Sequence, residues 1–176
     1  MNYLKNAIGH FKTITKHKLL VTKTCFKAGL YKQGLLHDLS KYTPTEFVAG
    51  IKYWQGDKSP NSIQKKVEGV SYAWLRHKGR NKHHFDYWID YRNKDELPVG
   101  FKIPYKYVYE MFIDRMCACK NYQGSNYTNN SPLEYYNKEK EHMLIHKDSR
   151  ELLEFLLNKL ANEGEKEALK YIKDNR

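Results

Sequence analysis

The chain has 176 residues, 40% hydrophobic and 29% charged, enough to bury a core as one domain. It has no apolar run of the roughly 18 residues that a membrane span needs, so no membrane partner is expected. Its 31 Lys and Arg against 20 Asp and Glu give a net charge of +11, which points to polyanionic or phosphate-bearing partners and equally suits a plain basic surface.

Helical spacing recurs and strand alternation hardly appears, which predicts an all-α fold of about eight helices. Leu4, Ile8, Phe11 and Ile14 form one apolar stripe, and a second segment from His17 to Lys27 stops at Ala28-Gly29, a C-cap pattern. A third helix is expected from Tyr31 to about Ser40, carrying His37-Asp38. Thr43-Pro44-Thr45-Glu46 is a start signal, with Thr43 as cap, Pro44 in the first helical position and Glu46 closing a capping box. That helix should end near Gly56. Another should run from Ser59-Pro60 to His77, with Ile63, Val67, Val70 and Trp74 on its apolar face and His77 in register with them.

After a basic loop, Lys78-Gly79-Arg80-Asn81-Lys82, helical character resumes from His83 to Tyr91. Asn93 to Pro104 reads as a loop broken by Pro98 and Gly100. The next helix, Tyr105 to about Tyr122, sets Tyr107, Met111, Asp114 and Ala118 on one side. Asp114 therefore faces inward, where a carboxylate is costly unless paired or metal-bound. Ser131-Pro132-Leu133-Glu134 repeats the capping-box pattern and opens a helix toward His146. Ser149 is the expected cap of a leucine-rich helix through Leu160, and a short charged helix follows Gly164.

The main chemical signal is Leu36-His37-Asp38-Leu39-Ser40-Lys41. A neutral imidazole beside a carboxylate suits a divalent transition metal (Mn, Fe, Ni or Zn). Further candidate ligands at inward positions or helix ends are His17, His77, His83, His84 and Asp114. Four suffice for one ion with open positions, and all of them together could hold two with a bridging carboxylate, an arrangement suited to phosphoryl chemistry. Lys41, Arg80, Lys82 and Arg115 are candidates to hold phosphate oxygens, with Lys41 best placed and Arg115 equally suited to a structural ion pair. Glu46 could support a ligand from outside, but its position favours a capping role.

Other polar residues read more plainly. His10 lies off the apolar stripe and is expected to face solvent. His142 and His146 are four apart but lack a third ligand, which favours a solvated pair. The three cysteines are odd in number, and Cys117 and Cys119 are too close on one helix to bridge comfortably. A reduced chain is expected, and the N-terminal segment lacks a signal-peptide pattern, so the expected location is cytoplasmic.

In motif order the chain resembles the HD-domain metal-dependent phosphohydrolase superfamily. The order runs His17, then Leu35-Leu36-His37-Asp38-Leu39-Ser40-Lys41, then His77 with His83-His84, then Asp114 in Phe112-Ile113-Asp114-Arg115. The resemblance covers about residues 10 to 120. It implies an HD-like helical core there, with C-terminal helices over 131–176 packing on it in a single domain, 1–176. By resemblance His17, His37, Asp38 and Asp114 would bind one metal, and His77, His83 and His84 would build a second. Asp38, Lys41 and Arg115 would be catalytic, and Lys41, Arg80 and Lys82 would hold the substrate. The implied activity is hydrolysis of a nucleotide or other small phosphate ester. The His77–His83 gap is shorter than the dinuclear branch usually shows, and no Gly-Tyr-Pro element follows His84. Along its whole length the chain also looks like a family of small uncharacterised bacterial and phage proteins. The alternative reading is a basic nucleic-acid-binding helical protein with a structural or inactive metal site, which the loop Arg76–Lys82 would also serve.

Overall fold

The first 27 residues hold no proline, and a single run of inward positions, Ile14, His17, Val21, Thr24 and Cys25, keeps one helical register through them. A computed structural model of the protein, describing residues 2–176, accordingly shows one long helix, α1 (Tyr3–Lys27), rather than two segments. The stripe expected from Leu4, Ile8 and Phe11 lies on its exposed side. Gly9 allows the α1 backbone to meet Trp54, because a Cβ there would lie 2.4 Å from the indole.

The third expected helix is cut short. Helix α2 (Tyr31–Leu36) ends before the His-Asp pair, and a tight turn of 3-10 geometry spans Leu39–Tyr42. His37 is extended and Asp38 is left-handed, at φ 52, the only non-glycine residue with positive φ among the described ones. Helix α3 (Pro44–Tyr53) then begins at the expected proline. Its capping box does not form: Thr43 Oγ1 donates to the Ser40 carbonyl at 2.7 Å, and Glu46 turns inward instead.

The long helix expected from Ser59 to His77 is two. Helix α4 (Pro60–Glu68) stops at left-handed Gly69, and α5 (Tyr72–Lys78) restarts with Ser71 Oγ accepting from the Trp74 N–H at 3.0 Å. Val67 and Val70 fall at the break and are exposed, while His77 is buried. Residues His83 to Tyr91 are not a regular helix: Phe85–Trp88 form a 3-10 turn, and β1 (Ile89–Asp90) pairs antiparallel with β2 (Val99–Gly100).

Helix α6 (Tyr105–Gln123) is the central element, buried along Val108, Phe112, Ile113 and Met116. It packs against α1 on one side and, on the other, against α8 (Lys147–Glu163). Between them, α7 (Ser131–Glu139) starts after Asn130 and ends well before His146. His146, not Ser149, caps α8, with Nδ1 accepting from the Asp148 N–H at 3.2 Å, while Ser149 Oγ accepts from the Ile103 N–H. His142 and His146 therefore never share a helix face. Leu153, Leu156, Leu157 and Leu160 of α8 are fully buried, each contributing about 1.5–3 kcal/mol relative to exposure. Helix α9 (Glu165–Asp174) closes this layer after Gly164. The fold is all-helical apart from the two short strands, with nine α-helices among the described residues, and none of its helices is long and apolar enough to cross a membrane. The apolar core fills the α6–α8–α9 side, and Cys25, Cys117 and Cys119 are buried free thiols.

Candidate metal centre

On the opposite flank of α6, four segments bring their polar side chains together: α1 with His17, the α2–α3 break with His37 and Asp38, α5 with the following loop, and α6 with Glu110 and Asp114. The break explains how two adjacent residues can serve one centre. In a continuous helix their side chains would diverge by about 100°. Asp38 reaches the centre through a left-handed conformation that costs an L-residue about 1–2 kcal/mol, and Asp is among the residues that bear it best.

Two sets of donor atoms meet there, each within 4.8 Å. One is His17, His37, Asp38 and Asp114; the other is Asp38, His77, His83 and His84. Asp38 belongs to both. Its Oδ2 lies 3.3 Å from His37 Nε2, and its Oδ1 lies 3.2 Å from His77 Nε2 and 3.4 Å from His83 Nε2. Asp114 Oδ1 is 2.9 Å from His17 Nε2 and 3.5 Å from His37 Nε2. All the metal ligands expected from the sequence are thus gathered in one place, despite the short His77–His83 gap.

The outward nitrogens are held by two glutamates: Glu110, which the sequence does not single out by motif, and Glu46, for which the sequence favours capping over support of a ligand. Glu110 Oε1 accepts from Nδ1 of His37 at 3.0 Å and lies 3.1 Å from Nδ1 of His83. Glu46 Oε2 accepts from His77 Nδ1 at 2.8 Å and from Ser40 Oγ at 3.1 Å. Each contact fixes a ring with its Nε2 turned inward, the arrangement by which carboxylates orient metal-binding histidines. Glu110 stands four residues before Asp114 on one face of α6, a spacing that marks it in the sequence. Glu46 was masked by its match to a capping box. A third grouping, His37, His83 and Glu110, uses these same outward nitrogens and is better described as support, since its distances are those of hydrogen bonds.

The fit to a cation follows from what is left over. The Nε2 atoms of His17, His37, His77, His83 and His84 and Oδ1 of Asp38 are buried without a hydrogen-bond partner, while Asp38 Oδ2 is paired with the Lys41 ammonium. Their close approaches lack hydrogen-bond alignment. Buried polar atoms are normally satisfied, and a convergent group of unsatisfied ones is what a cation would complete. Without one, protons and Lys41 balance the charge. Burial opposes a charge on His37, yet Asp38, Asp114 and Glu110 outweigh it and hold its pKa well above the usual imidazole range. His77 is raised in the same sense against its burial, chiefly by Asp38. Burial pushes Asp38 and Asp114 upward, but the histidines around them, with Lys41 for Asp38, hold both carboxyls well below their usual range. Burial lowers His17 and, with His83 and His77 adjacent, lowers His84 further.

The centre opens into a cavity of about 560 Å³. Lys41 lines it, with Nζ 2.5 Å from Asp38 Oδ2. Arg115 lines it too, its guanidinium 3.9 Å from Glu139 Oε2 and over the Tyr136 ring, so it serves both the cavity wall and an ion pair. Arg80 and Lys82 do not line it. Both are exposed, because the loop after Gly79 is tied inward by Asn81, whose Nδ2 donates to the His77 carbonyl at 2.8 Å, and His83 follows inside. Lys82 instead lies over the rings of Tyr87 and Tyr107. Lys58, Lys65 and Lys66, around α4, also line the cavity together with Asp57, and no motif announced them.

Residues 6–159 match the model of a family of unknown function, DUF5662, and the chain belongs to that family. No curated protein and no solved structure matches the chain.

Proposed function

We propose that this member of the DUF5662 family is a metal-dependent phosphohydrolase of the HD type, acting on a nucleotide or other small phosphate ester. The observation that carries the reading is the convergence of buried, unpartnered imidazole nitrogens on the two oxygens of Asp38, beside a cavity whose lining includes Lys41 and Arg115. His17, His37, Asp38 and Asp114 would hold one divalent ion, and His77, His83 and His84 a second that shares Asp38. Mn, Fe, Ni or Zn suits this mixed imidazole and carboxylate set. An ion held there supplies Lewis acidity toward a phosphoryl oxygen and makes a nearby water more acidic. The protein's own groups do the rest. Glu110 and Glu46 keep the rings in position, Asp38 joins the two sets, and Lys41 and Arg115 offer charge to phosphate oxygens from the cavity wall.

The test is hydrolysis of a chromogenic phosphodiester and a nucleotide panel, each with Mn, Co, Ni or Zn and again with a chelator. Chelator-sensitive release of phosphate or alcohol from at least one substrate is expected. A metal-loaded protein inert to the whole panel would refute the enzymatic reading.

A second reading rests on a separate observation. Lys82 and Lys106 lie over the Tyr107 ring, and Lys82 also over Tyr87, on an exposed face of a strongly basic chain. Aromatic rings with basic residues suit single-stranded nucleic acid. Tight, steeply salt-dependent RNA or DNA binding without turnover would favour it.

A further inference from the structure

The cavity does not end at the metal ligands. It continues along the face shared by α1 and α3, lined by His10, Thr13, Glu46 and Gly50. His10, expected to face solvent, is 5% exposed, with its ring tilted against Phe47. The fold makes room for it: a Cβ on Gly50 would lie 2.0 Å from His10 Nε2. His10 Nδ1 is buried without a partner, and so is Oε1 of Glu46, the oxygen that does not hold His77. Glu46 and Gly50 are one turn apart on α3, so Glu46 and the glycine that seats the His10 ring share one stretch of α3, and both residues with unpartnered atoms line the cavity.

The chemistry of this wall differs from that of the lysines lining the cavity around α4. Burial, reinforced by Lys41, lowers the His10 pKa to about 4, so the ring is neutral near pH 7 and offers one donor and one acceptor. The Glu46 carboxylate, which lines the same cavity, only accepts hydrogen bonds and repels phosphate. Groups that both donate and accept, without charge, complement the pair.

Resting on the phosphohydrolase reading above, we propose that His10 and Glu46 Oε1 form a subsite for hydroxyl groups on the organic half of the phosphate ester, the sugar hydroxyls of a nucleotide being the chemical class that fits. Glu46 then has two tasks: Oε2 orients His77, and Oε1 meets the sugar. His10 is a specificity residue that leaves the metal ligands alone.

Calorimetric titration of the Mn-loaded protein with adenosine monophosphate and with its dideoxy analogue, which lacks both ribose hydroxyls, tests this. The wild type should bind the hydroxylated nucleotide about tenfold more tightly, the usual scale for a lost hydrogen bond to an otherwise unpaired buried group. His10→Leu should bind both compounds alike, at the weaker affinity, and His10→Gln should recover part of the difference. Gly50→Ala, which displaces the ring without removing it, should behave like His10→Leu. Equal affinity or no affinity for the two compounds in the wild type, or discrimination that survives in both His10→Leu and Gly50→Ala, would overturn the subsite. Discrimination in binding with no hydrolysis of any phosphate substrate would refute the hydrolase reading and leave the subsite standing. Hydrolysis without discrimination would do the reverse.

Discussion

Glu46 Oε2 accepts a hydrogen bond from His77 Nδ1 at 2.8 Å, the shortest of the polar contacts on that nitrogen, and His77 Nε2 is left facing Asp38. The carboxylate fixes the tautomer with Nδ1 protonated and leaves the Nε2 lone pair inward. Glu110 stands in the same relation to His37 and His83, so the two glutamates together set three of the five imidazoles of the centre.

Glu46→Gln should therefore weaken binding at the His77, His83 and His84 set and spare the other. Loss of such a supporting carboxylate typically costs about 10- to 100-fold in metal affinity. Competition against a chromogenic chelator should show one tight and one weakened equivalent. Two equivalents of unchanged affinity would remove Glu46 from the centre.

Lys41 places its ammonium 2.5 Å from Asp38 Oδ2, where it competes with any cation for that oxygen. Lys41→Ala should keep or increase metal affinity while slowing hydrolysis by about 10- to 150-fold, the scale of one lost charge-assisted contact. Steady-state rates and metal content measured on the same preparation separate the two effects. Unchanged turnover would take Lys41 out of the substrate site.

Metal binding should strengthen as pH rises. His37 and His77 carry folded pKa values above the usual imidazole range, so in the metal-free protein their protons must leave before a cation binds. Their contribution to metal-free stability is fully present below the unfolded pKa of about 6.5 and is lost as pH rises through the folded values. Asp38 and Asp114, with depressed folded values, contribute stability above their unfolded pKa and lose it only as pH falls through the folded one. They remain ionised across the neutral range. The gap in Tm between metal-loaded and chelated protein should widen from about pH 6 to about pH 8. A gap that narrows over that window would contradict the assignment of His37 and His77 as ligands.

Much of the fold and centre is legible in the sequence, and the losses have physical causes. Helix α6 was readable because one uninterrupted 3.6-residue pattern carries Met111 and Asp114 inward. The His-Asp pair was readable as a pair, but not its backbone: periodicity continues through Leu39, whereas α2 stops at Leu36 because His37 turns extended and Asp38 left-handed. Val67 and Val70 kept the helical pattern alive across Gly69, whose cap ends α4. His10 read as solvent-facing because its burial depends on Gly50, forty residues away, and no local pattern carries that contact. Arg80 and Lys82 read as phosphate contacts because a charge run says nothing about which way a loop turns.

The central claim is that Asp38 and the histidines around it hold metal, and the most direct test is elemental analysis of protein purified without a histidine tag. Asp38→Asn is the variant of choice, since Asn also tolerates the left-handed conformation and its circular dichroism can confirm an intact helical fold. Because Asp38 joins both ligand sets, the wild type should carry one or two equivalents of Mn, Fe, Ni or Zn, and Asp38→Asn should carry none. A wild type that neither copurifies with metal nor takes it up after dialysis, or full occupancy in folded Asp38→Asn, would contradict the account.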